Sequence, residues 1–93
     1  MKSKREQLED SIRHYKEASH NALEKFQRVY NEYLENDRKA NDITKSREYR
    51  EEARDQASLL SMRAEIILSN IDRFNYIIFV LEKDLEKELE GAK

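Results

Sequence analysis

The apolar residues of this chain fall into two series, each stepping alternately by four and by three. The first runs Leu8, Ile12, Tyr15, Ser19, Ala22, Phe26, Val29, Tyr33, Asn36, Ala40 and Ile43, and nine of these eleven positions are apolar or aromatic. The residues between them are mostly charged or polar, with Ala18, Leu23, Tyr30 and Leu34 widening the stripe. The second series runs Ala53, Ala57, Leu60, Ala64, Ile67, Ile71, Phe74, Ile78, Leu81 and Leu85 without a break, then reaches Glu88 or Leu89 and Ala92. Such spacing predicts two helices, each offering one face to a partner helix.

The two series do not share a phase. Extending the first beyond Ile43 lands on Arg47, Arg50 and Arg54, three cations where a helix seam needs apolar groups. The seam is therefore interrupted between about 36 and 50. The stretch 35–44 holds two Asn-Asp pairs, Asn36-Asp37 and Asn41-Asp42, whose side chains cap helices and tolerate left-handed backbone. The expected fold is all-α: an antiparallel helical hairpin of coiled-coil type and a single domain over residues 1–93. Helix 1 is expected over about 4–37, the turn over about 38–42, and helix 2 over about 42–90, with Asn41 or Asp42 as its cap. Two arrangements compete with it. One is a continuous rod of roughly 130 Å. The other starts a third helix at the weak capping box Ser69-Asn70-Ile71-Asp72, against which the second series passes Ile67, Ile71 and Phe74 without a slip.

Apolar residues also lie off the seam. In a hairpin turning near residue 40, Leu8 faces Ile71 and Phe26 faces Ala53, so helix 1 runs out of partners near Ile77. Yet Ile66, Leu68, Ile77, Phe79 and Val80 make helix 2 apolar on more than one side, and such a helix needs cover on more than one side. Covering those five side chains contributes on the order of 10 kcal/mol at most. The chain is thus expected to self-associate, two hairpins forming a four-helix bundle. The expected interface comprises Ile66, Ile67, Leu68, Ile71, Phe74, Ile77, Ile78, Phe79, Val80, Leu81 and Leu85. A partner helix of another protein could occupy the same surface, and a compact three-helix monomer is the alternative to both.

Composition supports helices and removes other classes. Of 93 residues 41% are charged and 38% apolar, with one glycine and no proline, cysteine or tryptophan. Turn-rich β folds need glycine and proline, and disulfides or cysteine-based zinc sites need a residue that is absent. The longest apolar run, Tyr76 to Leu81, is far short of the ~18 residues of a membrane span. The basic start Met1-Lys2-Ser3-Lys4-Arg5 leads into Glu6-Gln7-Leu8-Glu9-Asp10 rather than an apolar signal core. A cytoplasmic location is expected on these grounds. Net charge is −2, which gives no general attraction to nucleic acid or anionic membrane.

Chemistry has few candidates. Glu17 and His20 form the Glu-x-x-His unit of di-metal carboxylate bundles, but the register turns both away from the seam, so no metal or cofactor is expected. A lone glycine at 91 allows neither a phosphate loop nor a nucleophile elbow, and a hairpin offers no deep pocket. The chain is therefore read as a non-enzyme. Arg47, Arg50 and Arg54 share a helix face and form a possible anion-binding stripe, although Asp42, Glu48, Glu51, Glu52 and Asp55 are interleaved. No aromatic alternates with them as single-stranded nucleic-acid platforms require. The C-terminal half is acidic, with 10 acidic residues against 6 basic over 51–93, whereas 1–50 carries 12 basic against 10 acidic. That asymmetry favours antiparallel over parallel association. Gly91 is expected to cap helix 2. Two functional classes remain: a protein-interaction or assembly module such as a helical adaptor, scaffold or small chaperone, and a module that binds an anionic surface through its basic turn.

Overall fold

The computed structural model describes residues 1–91. It is an antiparallel hairpin of two helices, α1 (Lys4–Ala40) and α2 (Arg47–Gly91), forming a rod of 70 × 19 × 14 Å. Ala92, the last expected seam position, lies outside the described residues. No described helix is long and apolar enough to cross a membrane.

Both helices start at a serine. Ser3 Oγ accepts from the Glu6 amide at 3.2 Å and donates to the Glu6 carboxylate at 3.4 Å, an N-cap at the head of α1. Ser46 does the same for α2, its hydroxyl accepting from the Tyr49 amide at 3.2 Å and its carbonyl from Arg50 at 3.1 Å. Asn41 closes α1: its amide donates to Asp37 and Arg38, and its side-chain nitrogen to the Asp37 carbonyl at 2.9 Å. Asp42 then holds the reversal, accepting from the Thr44 amide at 3.0 Å and hydroxyl at 2.6 Å.

These caps move the expected boundaries. α1 continues to Ala40 and α2 begins only at Arg47, so Asn41 and Asp42 finish one helix and shape the turn rather than opening the next. Ile43, expected on the seam, is 86% exposed at the tip. Gly91 belongs to α2 itself instead of capping it. The later reversal also re-pairs the helices, because each residue by which the turn moves shifts every opposite residue by two. Tyr15 meets Phe74 with ring centroids 6.2 Å apart, Ser19 bonds Asn75, and Lys4 reaches Glu88 at 3.7 Å. Leu8 therefore does not face Ile71, nor Phe26 Ala53, and α1 accompanies α2 past Ile77 almost to its end.

The seam itself is as the spacing predicts. Apart from Ile43, every residue of the first series is buried or half-buried, as is every residue of the second through Glu88. Val29, Leu60, Ala64, Ile67 and Ile71 form the centre, with Ala22, Phe26 and Tyr33 packed against it. Near the turn α2 contributes the small residues Ala53 and Ala57 and α1 the larger Tyr33, so volume is traded across the seam. Two helices cover each other on one side only, and no large side chain among the described residues is completely buried.

Candidate interaction surface

The expected interface residues divide into two sets. Ile67, Ile71 and Ile78 are buried in the hairpin's own seam, with Phe74, Ile77, Leu81 and Leu85 half-buried beside it. The seven thus spend most or part of their surface on α1. Ile66 at 63%, Phe79 at 58%, Leu68 at 42% and Val80 at 38% remain exposed. Their exposure does not arise from an overhang, since α1 reaches Glu88. It arises from angle: at about 100° per residue these side chains stand on the two flanks of α2, where one antiparallel neighbour cannot reach.

The flanks differ. On one side Leu59, Met62, Ile66 and Val80 of α2 are exposed, while α1 contributes mainly polar positions such as Ser11, Lys25 and Glu32. On the other side both helices are apolar. Phe26, Tyr30 and Tyr33 of α1 line a groove of about 320 Å³ with Ser61, Ala64 and Leu68 of α2. Phe26 stacks on Tyr30 and Tyr30 on Tyr33, with centroids 5.7 and 5.9 Å apart. Leu23 and Leu34 are exposed on this side of α1 and Phe79 on that of α2. Both exposed flanks include residues outside the expected interface, Leu59 and Met62 on one and Leu23, Tyr30 and Leu34 on the other. The signal was available, since Leu23, Tyr30 and Leu34 visibly widen the first stripe.

The three arginines sit differently. Arg47 Nε donates to Glu51 at 2.8 Å. Arg50 is half-buried near the turn, its Nε enclosed without a hydrogen-bond partner and its charge felt by Asp42. Arg54 lines a groove with Tyr33, Asp37 and Ser58. Acidic groups accompany all three, so the stripe is not a bare cationic surface.

Among the described residues no group of three or more histidine or acidic side chains is placed to hold a metal ion. His20 pairs with Glu24 at 3.2 Å on the solvent side of α1. Most ion pairs join residues three or four apart on one helix, as in Arg5–Glu9, Lys39–Glu35 and Arg47–Glu51, and contribute only tenths of a kcal/mol each. Asp42 is held below the usual carboxylate range chiefly by the Thr44 hydroxyl and then by the Thr44 amide. The concavities are open grooves along the helices, and one of them, formed by Glu9, Arg13, Lys16, His20 and neighbours, uses α1 alone. No protein-family model, curated protein or solved structure matches the chain.

Proposed function

We propose that this protein is a non-enzymatic assembly module, a helical adaptor or scaffold subunit that self-associates through α2 and presents helix surface to other proteins. The observation that carries this reading is the apolar surface left on both flanks of α2 after α1 has taken its seam. Among the described residues no large side chain is completely buried, and a second unit laid against the rod supplies the missing layer. A face 70 Å long and 19 Å wide offers more than the ~800 Å² per partner of a standard interface. The alternative, an anionic-surface module built on Arg47, Arg50 and Arg54, has less support because Glu51, Asp42 and Asp37 neighbour those groups.

Sedimentation equilibrium of the full chain tests the reading. The expected result is a species of twice 11.2 kDa or more at micromolar concentration, unchanged between low and high salt if apolar burial dominates. A chain that stays monomeric across that range overturns self-association.

A further inference from the structure

Resting on that self-association, the geometry points to one arrangement: a second copy docks antiparallel on the tyrosine-bearing face, with a two-fold axis passing beside Leu23 and Leu68. Three observations lead there. The first is width. On this face the apolar band spans both helices, with Leu23 and Tyr30 from α1 and Leu68 and Phe79 from α2 exposed. The opposite flank is apolar on α2 only. A two-helix unit matches the wide band, whereas a single helix would leave half of it in water.

The second observation is level. Ser19 bonds Asn75 and Tyr15 packs on Phe74, which brings Leu23 and Leu68 to the same height along the rod. One axis can therefore serve both helices. In an isologous pair, a residue a given number of positions before the axis meets the residue the same number after it on the second copy.

The third is charge. Residues seven apart keep the same position on a coiled helix, so Arg54, Ser61, Leu68, Asn75 and Glu82 lie in one row along α2. The row is symmetric in kind about Leu68. Arg54 and Glu82 stand 14 residues to either side, and Ser61 and Asn75 stand seven. Antiparallel docking sets Arg54 against the second copy's Glu82 and Ser61 against its Asn75, each twice. Parallel docking of the same face instead lays α1 over the second copy's α2, which sets Glu82 against Glu9 and Arg54 against Asp37 and gives up both Arg54–Glu82 pairs. On α1, Lys16 and Tyr30 stand seven residues to either side of Leu23, which places an ammonium over a tyrosine ring of the other copy. The like charges that this arrangement brings together are Glu65 and the second copy's Asp72 at its outer edge, and Glu9 and the second copy's Asp37, 14 residues to either side of Leu23.

Sedimentation of charge variants and single-cysteine cross-linking test the proposal, with helicity by circular dichroism confirming that each variant stays folded. Arg54→Glu and Glu82→Arg each weaken the dimer by about tenfold, and together they restore it. Asp72→Lys tightens it. Leu68→Glu dissociates the dimer and Ile66→Glu does not. Because the chain has no cysteine, Ser61→Cys mixed with Asn75→Cys cross-links cleanly, and Ser61→Cys alone does not. Self-cross-linking of Ser61→Cys, or a double charge variant weaker than either single, overturns the antiparallel register. A dimer broken by Ile66→Glu but not by Leu68→Glu overturns this face while leaving self-association intact, and a monomeric parent overturns both.

Discussion

Ser19 and Asn75 meet at the edge of the seam, the serine hydroxyl donating to the asparagine side-chain oxygen at 3.0 Å. They are separated by 56 residues of sequence, and their bond selects one register of α1 on α2. A polar pair at the edge of a helix seam contributes little stability and favours one register. Replacing both with leucine is expected to raise the melting temperature while loosening the register. Two-dimensional amide NMR checks this: doubled cross-peaks for seam residues are the expected outcome, and a single sharp set assigns the register to packing alone.

Adjacent residues on α2 separate seam from flank. Ile67 is 6% exposed and Ile66 is 63% exposed. Ile67→Ala removes a core group that its neighbours cannot refill and is expected to cost about 2–5 kcal/mol. Ile66→Ala is expected to stay within about 0.5 kcal/mol in the monomer. Urea titration monitored by circular dichroism measures both, at a concentration low enough to keep the parent monomeric. Equal losses would place Ile66 in a buried environment that the hairpin does not contain.

The turn gives the protein an acid-sensitive element. Asp42 titrates below its ordinary range because its ionised form accepts from Thr44. A carboxyl group depressed in the folded state adds stability above its unfolded pKa and loses it as the pH falls through the lower folded value. Asp42→Asn is therefore expected to be less stable than the parent at neutral pH, with the difference shrinking only below about pH 3.8, the ordinary value, and vanishing beneath the lower folded one. Ser46→Ala, which removes the neutral cap of α2, is expected to cost about 0.5–2 kcal/mol at every pH. Thermal melts of the two variants from pH 2 to 7 distinguish them.

The seam was legible in the sequence because period and burial carry the same information in a two-helix rod. Every four-and-three step from Leu8 to Ala40 and from Ala53 to Glu88 marks a covered side chain. The turn was less legible, since asparagine and aspartate offer the same hydrogen bonds to a helix end before them as to one after them. Asn41 used its side chain backwards, onto Asp37, and Asp42 used its own forwards, onto Thr44. Ser3 and Ser46 were readable as caps, Ser3 with Glu6 three residues on. A small displacement of the turn then doubled into the wrong opposite residues for Leu8 and Phe26. Of the two causes the sequence offers for the apolar excess on α2, angular spread around the helix and an unpaired end, only the first is present, since Lys4 reaches Glu88.

The 70 Å length of the rod has one more consequence. Each turn of α1 touches the turn of α2 at its own height, so the core is a stack of layers along the rod. Damage at Ile78 leaves the layer at Ala53 in place, and opening is expected to run like a zipper from the level of Lys4 and Glu88 toward Asp42. In native-state hydrogen exchange, the amides of such a chain report their distance from the turn.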